Sequence, residues 1–169
     1  MLKINHLSQL SNLIKTPVSV IRELIKVRQN LYRLKVEKKK DGSDRILHIP
    51  SPELKTTQKK INRNISNFLK LPSYIHSQSG HSHVHHAMSH IGRPMVYVFD
   101  IEDFFPSITG RMLKKILMKH GMSEIVANSI TKLCTYSGFP QGRKKNLLEI
   151  FFHKEHRLVQ HLPQWLLQE

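Results

Sequence analysis

Apolar positions along the chain fall into short periodic stretches separated by Pro, Gly and Ser. Leu7, Leu10, Leu13 and Ile14 recur at helical spacing and predict a short amphipathic helix, which Pro17 ends. Val20, Ile21, Leu24, Ile25 and Val27 give the apolar face of a second helix over Val18 to Asn30. The period then changes from helical to alternating. Leu31 to Glu37 and Arg45 to Ile49 read as paired strands, and the polar turn between them, KKKDGSD, carries Asp41-Gly42, a strong hairpin signal. Pro50 and Pro52 close the second strand. Leu54, Gln58, Ile61, Ile65, Phe68 and Leu69 then mark one buried side of a helix from about Glu53 to Lys70.

Leu71 to Ser82 is a loop rich in Ser, Pro and Gly, and a His-dense stretch to His90 reads as a helix ended by Gly92 and Pro94. Met95 to Ile101 is a nearly continuous apolar run and predicts a strand buried on both faces. Two helices follow, about Thr109 to His120 and Ser123 to Tyr136. The pattern holds no internal repeat. It predicts an α+β chain, helix-rich with one hairpin, and 169 residues suffice for an ordinary domain.

Charge narrows the function. The chain has 27 Lys and Arg against 12 acidic residues, a formal charge of +15. Such an excess attracts polyanions, so nucleic acid is the first partner to consider. An anionic membrane surface is the rival, but no apolar run approaches the ~20 residues that span a bilayer. The N-terminal MLKINHLSQLSNLIK lacks the apolar core of a signal peptide, and a cytoplasmic protein without a membrane span is expected. Cys134 is the sole cysteine, which excludes an intrachain disulfide and a multi-thiolate zinc site, and its apolar helical setting predicts a core residue.

Candidate chemistry begins at the end of the apolar run, in VYVFDIEDFFPSIT, Val96 to Thr109. A carboxylate at the mouth of a buried strand, here Asp100, suits a hard cation such as Mg²⁺. Alone, Asp100 reads equally as a cap on the strand end, and the Lys38 to Lys40 run as a solvated turn. The histidines His81, His83, His85, His86 and His90, with His76 nearby, invite a metal reading too, since His86 and His90 lie one helical turn apart. No carboxylate or thiolate lies close in sequence to complete such a set, and a polar helix face is the favoured reading.

The whole string VYVFDIEDFFPSIT closely resembles the palm motif that opens the active site of reverse transcriptases of the bacterial retron and group II intron type. A second block, KKKDGSDRILHIPSPELKTTQKKINRNI from Lys38 to Ile65, resembles the fingers hairpin of that family in order and spacing. A third, SGHSHVHHAMSHIGRP, matches at Gly80, His86-Ala87 and His90, with His81 where the family has Arg and His86 where it has Asn. The resemblance covers about Ser19 to Ser137. It implies the fingers and partial palm of a right-hand polymerase, with an incomplete palm sheet. Residues 1–16 are expected as an N-terminal helix, 17–94 as a fingers-like region, 95–142 as a partial palm and 143–169 as a divergent tail.

The resemblance also implies roles. Asp100 is the catalytic aspartate and, with the carbonyl of Ile101, a ligand of the two Mg²⁺ ions of nucleotidyl transfer. Lys39 and Arg45 bind the incoming nucleotide from the fingers turn, with Lys40 a neighbour. Asp103 and Phe104 cradle its triphosphate, and Phe105 is the gate against a ribose 2′-OH. GFPQG, with Pro140, Gln141 and Gly142, looks like the pocket loop. The partners implied are an RNA template and primer, dNTP and a DNA product. A role in antiviral defence is also found among such enzymes.

After Gly142 the family pattern stops, and paired aspartates of the YxDD type occur nowhere in the sequence. The expected chain is therefore a truncated and inactive polymerase fragment; the alternatives are a non-catalytic nucleic-acid-binding module or an unstable remnant. The codons of FFHKEHRLVQ, Phe151 to Gln160, when read from each third base, can spell LPQGAPTSP, the family's usual pocket-loop wording. This points to a frameshift between about Gly138 and Phe151, with the tail translated out of frame and disordered.

Overall fold

The computed structural model describes residues 3–38, 42, 44–66, 82–99 and 108–136, without the side chains of Arg45 and Ser66. Helix α1 spans Leu7–Ile14 and α2 spans Val18–Val27. Lys15, between them, adopts a left-handed conformation with φ 47°, the usual way a helix is stopped, and Pro17 precedes the first residue of α2. The predicted final turn of α2 is instead a 3₁₀ turn over Arg28–Leu31, the tightening common at helix ends.

Strands β1 (Tyr32–Lys38) and β2 (Asp44–Pro50) form an antiparallel hairpin with Tyr32 opposite Pro50 and Lys38 opposite Asp44. Gly42, in the turn, takes φ 83°, where a side chain would be strained. Helix α3 covers Pro52–Ser66, its Pro sitting at the first position where a missing N–H costs nothing. Helix α4 is short, His83–Met88; α5 covers Gly110–Lys119 and α6 covers Glu124–Cys134. Thr109 caps α5 through the amide of Met112, and Ser123 caps α6 through the amide of Val126.

One core joins the first half of the chain to residues 108–134. Leu10 and Ile14 of α1, Ile21 and Leu24 of α2, and Leu54, Ile61 and Ile65 of α3 pack with Leu113 and Leu117 of α5 and Val126, Ile130 and Leu133 of α6. Polar ties reinforce the same junctions. The Ile4 amide donates to the Gly121 carbonyl at 3.3 Å, and the Ser123 amide to the Ile4 carbonyl at 2.9 Å, so the N-terminal segment runs beside the α5–α6 turn. The Lys60 ammonium of α3 donates to the Lys15 carbonyl at 3.0 Å, satisfying the C-terminal end of α1. Cys134 is buried here as predicted, and burial pushes its thiol well above the usual range, which suits packing and opposes reactivity.

The predicted Met95 to Ile101 strand differs from the observed structure in its described part. Met95 to Phe99 form no strand, and their side chains face solvent, with Val98 90 % and Phe99 86 % exposed. A strand exists only where a neighbour takes its backbone groups, and among the described residues the sole ladder is β1–β2. A helix-rich chain with one hairpin is thus observed, whereas a palm sheet is not seen among the described residues. None of the described helices is long and apolar enough to cross a membrane.

Candidate nucleotide and nucleic-acid site

The hairpin carries the first group of predicted site residues. Its last rung is Lys38 opposite Asp44, an exposed ion pair of 3.1 Å, and the rung before it sets Glu37 opposite Arg45. The Arg45 backbone therefore lies one rung from the turn; its side chain falls outside the description, as does Lys39, the residue that follows Lys38 in the chain. Arg33, Lys35 and Lys38 are all exposed, and Lys35 pairs with Glu37 at 2.8 Å. On α3, Lys55, Lys59 and Arg63 stand four residues apart on the exposed side. That spacing is about one helical turn, so the three cations share a stripe that strand-by-strand reading of the hairpin does not reveal.

Below the turn, the hairpin is anchored by a polar and aromatic cluster. The Gln58 side-chain amide, buried on the inner face of α3, donates to the Leu133 carbonyl at 2.8 Å and to the Tyr32 hydroxyl at 3.1 Å. A carbonyl only accepts, so the atom facing Leu133 must be the amide nitrogen, whose two hydrogens serve the two partners. The Tyr136 ring meets Tyr32 edge-on at 5.0 Å between centroids and lies 4.4 Å from the ring of His48 on β2. Burial first, then the neighbouring Cys134 thiol, raise the Tyr32 phenol well above its ordinary range, against smaller pulls from Gln58 and Arg28. The phenol is therefore neutral across physiological pH.

Gln58 was legible in the sequence as a polar residue on the apolar side of α3 and as one position of the fingers resemblance, but with no role attached to it. Tyr32 and Tyr136 carried no signal of a shared role, because the two are over a hundred positions apart and meet only in the fold.

Asp100, Ile101, Asp103, Phe104 and Phe105 lie outside the described residues, as do Pro140, Gln141 and Gly142. Of the VYVFDIEDFFPSIT string, the two ends are described. On one side stands the exposed run Met95 to Phe99, where Tyr97 and Phe99 stack at 6.3 Å. On the other, Ile108 is buried in the core and Thr109 begins α5, so the motif's C-terminal end is held firmly. Oxygen donors such as the Asp100 carboxylate and the Ile101 carbonyl are the right chemistry for Mg²⁺.

The histidine stretch is helical over His83–Met88, and His83, His85, His86 and His90 are exposed; His76 and His81 lie outside the described residues. His86 and His90 approach to 3.2 Å between Nε2 atoms, a distance that a ring-to-ring hydrogen bond also gives. Among the described residues no group of three or more His, Cys, Asp or Glu is placed to hold a metal ion. Polar contacts on the helix surface account for the stretch: Ser82 caps α4 through the His85 amide, and its own amide donates to His85 Nδ1.

No family model matches the chain. Known proteins do resemble it. It is 32% identical to the retron Ec86 reverse transcriptase of Escherichia coli over 142 residues, 82% of this chain and 44% of that protein. Identity to the retron Mx162 reverse transcriptase of Myxococcus xanthus is 36% over 98 residues, 57% of this chain and 20% of the relative. With the retron Se72 reverse transcriptase of Salmonella heidelberg it is 34% over 140 residues, 77% and 36% of the two lengths. The chain thus spans less than half the length of the curated relatives it matches.

Proposed function

Because the chain belongs to the retron reverse transcriptase family, we propose that it carries the fingers and first half of the palm of an RNA-directed DNA polymerase. One observation carries this reading: the basic hairpin and the VYVFDIEDFFPSIT motif occur together, in order, within the stretch that resembles these enzymes. Lys39 and Arg45 would then bind the phosphates of a dNTP, a planar guanidinium and a flexible ammonium both suiting that charge. Asp103 and Phe104 would position the triphosphate through their backbone. Phe105 would leave no room for a ribose 2′-OH, selecting deoxynucleotides. Pro140, Gln141 and Gly142 would line the pocket if the frame is intact; with a frameshift between about Gly138 and Phe151, this PQG is not the pocket loop, or belongs to an insertion before it.

Asp100 and the Ile101 carbonyl would hold Mg²⁺. When bound, the metal stabilises the charge on the entering and leaving oxygens of phosphoryl transfer. Asp100 and Ile101 fill only part of a six-oxygen shell, and the sequence contains no aspartate pair to complete it. The 169-residue polypeptide is therefore expected to bind an RNA template and primer without extending it. Primer extension with Mg²⁺ and dNTP tests this: no product is expected. Extension that Asp100→Ala abolishes would overturn the inactivity, and absence of template–primer binding would remove support for the fingers reading.

A non-catalytic nucleic-acid-binding module is the second reading, favoured by the +15 charge. The two differ on dNTP: a polymerase fragment predicts that the nucleotide competes for Lys39 and Arg45, a plain binding module does not. The tail belongs to the first reading. The shifted-frame LPQGAPTSP over Phe151 to Gln160 predicts a frameshifted gene, and sequencing the locus past the Gly142 codon decides it. A nucleotide sequence with no such reading and no downstream aspartate pair would sink that part.

A further inference from the structure

The Gln58 cluster joins two parts of the chain that the proposed function assigns to the same nucleotide. Tyr32 begins β1 and His48 lies near the end of β2, so both sit at the base of the hairpin whose turn carries Lys39 and whose last rungs include Arg45. Leu133 and Tyr136 lie at and just beyond the end of α6, where the chain runs on to Gly138 and the PQG residues. Gln58 stands between them on α3, one amide nitrogen bonded to both.

We propose that Gln58, with Tyr32 and Tyr136, is a positioning device that fixes the basic hairpin against the C-terminal end of α6. The role rests on the reading of the hairpin as a nucleotide-binding element. Geometry carries the tie itself. A two-stranded hairpin is marginal alone and needs packing against another element to hold one orientation. On the face that carries Tyr32, burial falls away from the base: Pro50 opposite Tyr32 is buried, His48 is buried opposite an exposed Leu34, and in the next rung on that face Val36 and Ile46 are both exposed. Orientation is thus set at the base. There a directed hydrogen bond from Gln58 to Tyr32, continued by its bond to the Leu133 carbonyl, and two ring contacts of Tyr136 add to the apolar packing of Leu31 and Tyr32, and such contacts specify an angle more narrowly than aliphatic packing alone.

The test compares Gln58→Met, which keeps length and apolar bulk but removes both donors, with the unaltered chain. Amide hydrogen exchange is followed separately over the hairpin and over α5 and α6, alongside the melting temperature. A positioning role predicts exchange about tenfold faster over residues 32–38 and 44–50. Exchange in α5 and in the first two turns of α6 should change no more than the melting shift accounts for. Tyr32→Phe, which removes one of the two acceptors, should give a smaller change confined to the same strands. If Gln58→Met does not fold, Tyr136→Leu removes the ring contacts from the half-exposed side and carries the same prediction.

Hairpin exchange that is unchanged, or that quickens equally across the whole core, would overturn the proposal. Template–primer binding is measured on the same samples and should weaken by several-fold, with a shallower salt dependence as the hairpin cations lose their fixed placement. If the unaltered chain binds no template–primer, the functional reading fails while the exchange data still decide whether the tie exists.

Discussion

Leu133 on α6 is wholly buried, whereas Val98, near the start of the VYVFDIEDFFPSIT string, is 90 % exposed. Both are aliphatic and both sit in apolar stretches. Their neighbours differ. Around Leu133, α1, α2, α3, α5 and α6 each offer an apolar side to the others, and the polar ties at Ile4, Lys60 and Gln58 close the gaps between them. Around Val98, no described strand supplies the backbone partners that would build a sheet. Helices satisfy their own backbone and can bury a face wherever another helix is present, but a strand depends on partners from elsewhere in the chain. The helical core is therefore self-sufficient, and the Met95 to Phe99 run has no described partner.

The largest effects should follow this division. Leu133→Ala is expected to cost about 2–5 kcal/mol in urea denaturation, since it opens a cavity in a closed core. Val98→Ala should stay within about 0.5 kcal/mol. Equal costs for the two would break the comparison and place the Met95 to Phe99 run in a packed environment in solution.

A smaller loss, about 1 kcal/mol, is expected for Ser123→Ala, which removes the cap of α6. The same change removes the Ser123 hydroxyl's 2.8 Å donation to the Asn5 carbonyl, so exchange at the N-terminal segment should quicken with it. An Ala variant with an unchanged N-terminal segment would detach that segment from the core.

The core side should also be alkali-sensitive. The Tyr32 phenol is raised by burial, so the unfolded chain releases its proton from about pH 10 while the folded chain retains it. Its contribution is fully present below that pH and is lost as pH rises toward the folded value. Cys134, raised by burial, acts in the same direction from somewhat lower pH. The urea midpoint should fall between about pH 8 and 11, less steeply in Tyr32→Phe. An identical slope in that variant would show that Tyr32 is not buried as described. The smallest effect belongs to the hairpin's last rung: both side chains of the Lys38–Asp44 pair are over half exposed, and Asp44→Asn should change stability by less than about 0.5 kcal/mol.

Much of this was readable in the residues. The helical period predicted α1, α2, α3, α5 and α6, with their ends shifted by a few residues where a 3₁₀ turn or an extended Thr135 intervenes. Asp41-Gly42 predicted the hairpin because a glycine there can take positive φ. The Met95 to Ile101 run misled as a strand because an apolar run reports a preference for burial, not whether a partner is present. The Gln58 cluster was illegible for a different reason: its members come from β1, β2, α3 and the end of α6, and no local spacing encodes their meeting. The roles expected of Asp100 and its neighbours rest on family resemblance, since one carboxylate after an apolar run has no chemistry distinct from a cap, and these residues lie outside the described ones.

On the proposed reading, the basic hairpin held on the helical core binds phosphate, whether of dNTP or of template and primer. This is tested most directly by titrating the 169-residue chain with an RNA template–primer over a range of salt concentrations, beside Lys39→Ala and Arg45→Ala. Affinity should fall steeply as salt rises, and the slope should drop by about one for each of these cations, which template–primer phosphates engage when no dNTP competes for them. Binding that is absent at low salt, or whose slope is the same in both variants as in the unaltered chain, would contradict it.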